Sequence, residues 1–270
     1  VRVVSLASGS SGNAFWVQAG ATSILLDAGL GPRIVAQRLA AAGGDVTKLT
    51  AVVLTHEHVD HVRGLAALVR RYRVPVVATP GTLAAALGTD GEQCALPLGS
   101  EVRVGELVVR ALAVQHDAEQ PAALEIAHDG TRVLVAVDIG TVGDELVEHG
   151  RLADLLIVDC NHDQERLWNG PYPAALKRRV AGPRGHLSND QAAAFVAACA
   201  SDRPQAVWLA HLSAVNNTPT LARTVVCAVL TALGVARPVL VAARDRLSLD
   251  WRSDEMPAAQ LGLPWPNGAG

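Results

Sequence analysis

The stretch that most constrains this 270-residue chain is THEHVDH, Thr55 to His61. Three histidines and an aspartate follow the apolar run Ala51 to Leu54, which reads as a short buried strand, and precede Val62, Leu65, Leu68, Val69 and Tyr72, which keep a helical apolar stripe. Imidazole and carboxylate together suit Zn²⁺, Mn²⁺ or Fe²⁺, and a turn leaving a strand can aim His56 and His58 at one ion while Asp60 and His61 face another. One tight segment can therefore begin two metal sites.

Half of the residues are hydrophobic and 18% are charged, which permits a large core and fits a layered α/β protein. A formal charge of -3 argues against a generic nucleic-acid coat but leaves room for local basic patches. Cys94, Cys160, Cys199 and Cys227 are widely spaced without a CxxC pair, in a chain long enough to need no disulfide staples, as a reducing cytoplasm allows. The first residues enter a strand pattern at once, without the apolar core of an export signal, and no apolar run reaches membrane-spanning length. The expectation is a soluble cytoplasmic protein with no membrane partner.

In chain order, Val1 to Leu6 and Ala14 to Gln18 read as strands around the loop Ser8 to Asn13. That loop is either a hairpin turn or a cradle of N–H groups and hydroxyls for a phosphate. Thr22 to Gly29 is a buried strand carrying Asp27 at its end, where a carboxylate either orients a ligand histidine or caps a turn. Pro32 opens a helix through Ala42, a second helix is expected over Val62 to Tyr72, Val74 to Thr79 is a strand and Thr82 to Leu87 a short helix. This alternation favours a sheet with helices packed outside it. From Glu101 the runs EVRV, LVVRALAV, AALEIA and RVLVAV form a strand meander, with His116 and Asp138 at strand ends. A helix over Val142 to His149 follows; His149 suits its C-terminus, His128 belongs to a hairpin turn, and neither receives a site role.

Asp154 to Asp163 reads as a buried strand delivering Asp159 and His162. Lys177, Arg178, Arg179 and Arg184 then make a dense basic run, either a solvated face or an anion grip. Ser188 and Gln191 have capping-box spacing for a helix over Asn189 to Ala200, which places His186 beside a helix N-terminus suited to phosphate. Ala206 to Ser213 is a strand bearing His211, and Asn217, Thr218 and Pro219 begin another helix. A last strand, PVLVAA, and a Pro/Gly-rich tail from about Arg252, expected to be poorly ordered, leave residues 1–251 as one domain.

THEHVDH resembles the HxHxDH signature of the metallo-β-lactamase superfamily, and His116, Asp138 and His211 look like its third, fourth and fifth motifs. The flavodiiron relatives tend to carry an acidic residue where this chain has His58, so the hydrolytic branches fit better. SLASGSSGN, LLDAG, NHD with Tyr172-Pro173 and Leu176-Lys177, GHLSN and HLS-x-x-NN-x-P resemble the YycJ/WalJ-like branch, across Ser5 to Pro219. The resemblance implies an α/β fold, a four-layer αββα sandwich with the metal site at one edge of two facing sheets. It also implies metal-dependent 5′–3′ exonuclease action on double-stranded DNA ends, with two divalent ions, Zn²⁺ or Mn²⁺ or else Fe²⁺, and a metal-activated water.

On that pattern His56, His58 and His116 hold the first ion, Asp60, His61 and His211 the second, and Asp138 bridges them, with Asp27 supporting a ligand from behind. His186 with His162 would contact the phosphate or protonate the leaving group, and Asp159 would orient His186. The branch prefers glutamate at Asp159, and the shorter carboxylate puts that relay in question. Ser8, Ser10, Ser11, Asn13, Lys177, Arg178, Arg184, Ser188, Asn216 and Asn217 are the candidate substrate contacts. Nine aromatic residues leave little for a base-stacking platform, so recognition is expected to fall on the backbone. The same fold hosts cyclic phosphodiesterases, lactonases and thioesterases. A non-enzymatic metal module would show a missing ligand, whereas all seven positions are filled.

Overall fold

In the computed structural model, which describes residues 1–87, 90–201, 203 and 205–255, the strands form two seven-stranded sheets. One contains β1 (Arg2–Ala7), β2 (Ala14–Ala19), β3 (Thr22–Leu26), β4 (Ala51–Val53), β5 (Val76–Ala78) and β6 (Gln93–Ala95) in sequence order. The other contains β7 (Glu101–Val104), β8 (Leu107–Ala113), β9 (Ala122–His128), β10 (Thr131–Ala136), β11 (Leu155–Asp159), β12 (Ala206–Ala210) and β13 (Val239–Val241), again in order. A final strand, β14 (Asp250–Arg252), crosses back to pair with β1. Each sheet begins as an antiparallel meander and continues as parallel strands: β3 to β6 in the first, β10 to β13 in the second. Parallel neighbours need crossovers, most of which carry helices.

Those helices are α1 (Pro32–Ala41), α2 (Val59–Val62), α3 (Leu65–Tyr72), α4 (Pro80–Ala86), α5 (Asp144–Leu152), α6 (Gln164–Asn169), α7 (Ala174–Val180), α8 (Asn189–Ala198) and α9 (Pro219–Ala232). Alternation along each strand sorts the apolar side chains into layers. Ile24 and Leu26 of β3 meet Ile126, Val135, Ile157 and Trp208 between the sheets. Leu25 faces the other way, packing with Leu39 of α1, Leu68 of α3 and Leu83 of α4. Across the molecule Leu156 and Leu209 pack with Leu146 of α5, Phe195 of α8 and Val226 of α9. Three apolar layers between four structural ones make the αββα sandwich.

Several local expectations are corrected. The helix expected over Val62 to Tyr72 is broken between α2 and α3, because Gly64 donates to the Ala28 carbonyl and a Cβ there would lie 1.9 Å from the Leu30 oxygen. The strand expected to run to Asp163 ends at Asp159, where the chain turns into the site. The helix expected over Val142 to His149 runs from Asp144 to Leu152. The basic run lies on and after α7, and Arg252 closes β14. The remainder of the expected tail, 256–270, lies outside the described residues.

Candidate metal centre

Parallel strands end at a common edge, so residues just beyond them are brought together however far apart they are in sequence. Here those residues are Asp27 after β3, Thr55 and His56 after β4, Asp138 after β10, Asp159 closing β11, and His211 after β12. Three use one backbone device: Asp27 (φ 58°), Asp138 (φ 53°) and His211 (φ 55°) are left-handed. That conformation costs a non-glycine residue about 1–2 kcal/mol and turns the side chain sharply out of the strand direction. The loop between β4 and α2 is equally confined. A Cβ on Gly29 would lie 1.8 Å from the Asp60 carbonyl oxygen.

The histidine tautomers follow from the partners behind each ring. His61 Nδ1 contacts Asp27 Oδ2 at 2.8 Å, leaving Nε2 towards Asp138 Oδ2 at 2.5 Å. His58 Nε2 faces the Asp117 carbonyl at 3.2 Å and His116 Nδ1 the Gly185 carbonyl at 3.0 Å, so His58 Nδ1 and His116 Nε2 converge, 3.3 Å apart. His56 Nδ1 lies 3.0 Å from Thr55 Oγ1, and its Nε2 points inward. His211 places Nε2 3.2 Å from Asp60 Oδ2 and Nδ1 3.0 Å from Asp138 Oδ1. Anchored imidazoles with one nitrogen free are the usual form of metal-binding histidine.

The donors fall into groups that could each hold an ion: His56, His58 and His116; Asp60, His61, Asp138 and His211; and an overlapping set of Asp138, Asp159, His186 and His211. His56 Nε2 is buried without a hydrogen-bond partner, 3.6 Å from Asp138 Oδ2, an arrangement that is costly unless a ligand completes it. Burial, followed by the neighbouring His61, pushes the His56 pKa well below the usual range, and burial also lowers that of His116. Burial also acts on His61, but Asp27 and Asp138 outweigh it and raise its pKa well above normal. The Asp138 carboxyl is held well below the usual carboxylate range: burial opposes this, and His211 and His61 overcome it. The cluster therefore attracts positive charge, and its N/O donors fit divalent ions of the Zn²⁺, Mn²⁺ and Fe²⁺ class.

A cavity of about 220 Å³ opens above these donors. His58, Asp60, His116, Asp138 and His211 line one side, and Tyr172, Leu176, Arg179 and Val180 the other. His186 stands between them, its Nδ1 3.0 Å from Asp159 Oδ2 and 3.1 Å from Asp138 Oδ1, its ring stacked on His211. The shorter carboxylate of Asp159 thus reaches His186. Burial disfavours the charged ring, yet Asp159 and Asp138 raise its pKa to about 10.

The structure redistributes the candidate substrate contacts. Ser8 and Asn13 are buried: Ser8 Oγ accepts from the His211 amide and Asn13 Nδ2 lies 2.9 Å from His61 Nε2, so both turn into the ligand cluster. Ser10 lines the cavity; Ser11 is exposed outside it, its carbonyl accepting from Arg63. Ser188 caps α8, and Asn217 donates to the Cys160 carbonyl and Asn189, which removes both from substrate contact. Asn216 is buried against Gly170, away from the cavity lining. Lys177 donates to the Trp168 carbonyl and Arg184 to the His116 carbonyl, bonds that hold the rim, while Arg178 is exposed beside them. His162 does not line the cavity; burial lowers its pKa to about 4, so it is a neutral ring behind the site.

Three contributors went unnoticed in sequence. Thr55 donates to Asp27 through backbone and hydroxyl, and adjacency to His56 was its only signal. Asn161 donates to the His211 carbonyl, and Asp117 accepts from Arg179 Nε at 2.5 Å while lying 3.4 Å from His116 Nε2. The asparagine of NHD and the aspartate after His116 were visible, but nothing local assigned their partners.

This fold and this ligand set define a metallo-β-lactamase-type metal-dependent hydrolase. The sequence model of the family described as beta-lactamase superfamily domain matches residues 22–212, and the chain belongs to that family, in its YycJ/WalJ-like branch. It is 33% identical over 235 residues to Exodeoxyribonuclease YycJ of Bacillus anthracis, covering 85% of this chain and 89% of that one. It is 32% identical over 224 residues to Exodeoxyribonuclease WalJ of Streptococcus pneumoniae, covering 80% and 83%. Among solved structures it resembles the metallo-beta-lactamase fold protein YhfI from Bacillus subtilis, with TM-score 0.72, 18% identity and coverage of 93% and 99%. Zn²⁺-bound PqqB from Methylobacterium extorquens superposes with TM-score 0.69, 18% identity and coverage of 93% and 100%. Among the described residues no helix is long and apolar enough to cross a membrane.

Proposed function

We propose that this protein is a dinuclear metal-dependent phosphodiesterase that removes nucleotides from the 5′ ends of double-stranded DNA in the cytoplasm. His56, His58 and His116 would hold one ion, and Asp60, His61 and His211 the second, with Asp138 shared. Divalent ions of this class supply Lewis acidity that lowers the pKa of water and counters phosphate charge. The observation that carries the reading is His186, an imidazole held at the edge of the ligand cluster with Nδ1 3.0 Å from Asp159 Oδ2 and 3.1 Å from Asp138 Oδ1. Two carboxylates occupy its Nδ1, so Nε2 is left for substrate. In hydrolysis a water oxygen forms a bond to phosphorus, the P–O bond to the leaving sugar breaks, and the departing oxygen takes a proton; His186 Nε2 supplies it. Arg179, fixed at Nε by Asp117, keeps its terminal nitrogens for phosphate oxygens. The names of the relatives in Bacillus anthracis and Streptococcus pneumoniae support DNA as the polymer.

The test is release of label from 5′-phosphorylated duplex DNA with Mn²⁺ or Zn²⁺, beside Asp138→Ala prepared identically. Metal-dependent loss of 5′ label, absent in the variant, is the expected result. No cleavage by protein that carries its metal would overturn the reading and turn attention to RNA and small phosphodiesters. Salt separates the substrate classes: a polyanion held by several basic groups loses affinity steeply with salt, and a neutral ester does not.

A further inference from the structure

The wall facing the ligands is built unlike the rest of the centre. α7 has seven residues, none of them buried, and Leu176 and Val180 turn apolar side chains towards the cavity. Tyr172, just ahead of α7, joins them. Among the described residues its hydroxyl makes no hydrogen bond and its ring stacks on nothing. The ligand side of the cavity thus offers imidazoles and carboxylates, and the facing wall an unpartnered aromatic ring with two aliphatic neighbours beside Arg179. That division matches a nucleotide: charged phosphate to one side, flat base to the other.

The ring sets a further constraint. The cavity is about 220 Å³, and the wall across from the ligands offers it a single aromatic ring. A base lying on that ring cannot also stay paired and stacked in the duplex, so its nucleotide must leave the stack.

Resting on the nucleic-acid-end reading above, we propose that the protein takes a duplex end as one unpaired terminal nucleotide, whose base stacks on Tyr172 against Leu176 and Val180. Tyr172 is then a specificity-determining residue that discriminates frayed from fully paired ends. Scarcity of aromatic residues does not prevent this, because one ring per terminal base suffices.

The experiment uses the full chain loaded with Mn²⁺ or Zn²⁺ and three 5′-phosphorylated duplexes: a matched G·C terminus, two terminal mismatches, and an abasic 5′-terminal nucleotide. Single-turnover release of the first nucleotide is measured for wild type, Tyr172→Ala and Tyr172→Phe, with metal content and circular dichroism verified for each. Mismatched ends should be processed faster than matched ones. Tyr172→Ala should lose about 5- to 150-fold on ends bearing a base, the range that aromatic–base stacking supplies, and nothing on the abasic end. Tyr172→Phe should keep wild-type rates. Equal rates on matched and mismatched ends, or an equal loss on the abasic end, would overturn the inference alone. Release from none of the ends by metal-loaded wild type would overturn the nuclease reading, and this inference with it.

Discussion

Asp27 makes no contact with the cavity, yet it should control one metal site. Its Oδ2 lies 2.8 Å from His61 Nδ1, and Thr55 donates to it from the amide at 2.9 Å and from the hydroxyl. Asparagine is the informative replacement because position 27 has φ 58°, which asparagine adopts readily and alanine does not. Asp27→Asn keeps shape and backbone but cannot accept at both oxygens. If Oδ1 still serves the Thr55 amide, the new NH₂ faces His61 Nδ1, forces the ring proton onto Nε2 and removes the lone pair that would bind metal. Loss of such an orienting partner lowers metal affinity about 10- to 100-fold, or ~1.4–2.7 kcal/mol. Competition with a calibrated chelator should show weakened binding at the Asp60, His61, Asp138 and His211 site, while the site of His56, His58 and His116 stays near wild type. Unchanged affinity at both sites would refute the argument, and equal loss at both would show that Asp27 supports the loop as a whole.

Replacing His186 by alanine should lower kcat about 10²- to 10⁴-fold with metal content retained; loss of metal in an emission measurement would make it a ligand of the Asp138, Asp159 and His211 cluster. In chelator-treated protein the His186 pKa of about 10 stands above its ordinary 6.5, so its stabilising contribution is complete below pH 6.5 and disappears as pH rises through about 10. Urea midpoints of the apoprotein across that window should fall with pH, and the fall should shrink in His186→Ala. Leu26→Ala, fully buried between the sheets, should cost about 2–5 kcal/mol in denaturant unfolding, and a midpoint shift much below that would contradict the layered core.

The candidate ligands stood out because metal binding demands particular side chains at strand ends. THEHVDH announced itself locally, and His116, Asp138 and His211 each followed a run apolar enough to mark a strand. What the loop Ser8 to Asn13 does was not legible: a hairpin turn and a phosphate cradle share its composition, whereas Ser8 and Asn13 face inward, towards His211 and His61. Ser188 caps α8, as its spacing from Gln191 indicates, and Asn217 donates to the Cys160 carbonyl; a polar side chain near a site has the same sequence signature whether it meets substrate or backbone. The break at Gly64 depends on the Ala28 and Leu30 carbonyls more than thirty residues away, which no helical periodicity records.

By itself the sequence determined the chemistry on offer, seven candidate metal donors, a histidine before a capped helix and strands apolar enough to build two facing sheets, because residue type and period are local properties. Only the tertiary structure decided which nitrogen of each histidine is free, that Asp159 reaches His186, and that Tyr172 and Arg179 stand across a small cavity from the ligands. Those are relations between chain segments dozens to hundreds of residues apart, and they exist only where parallel strands end together at one edge.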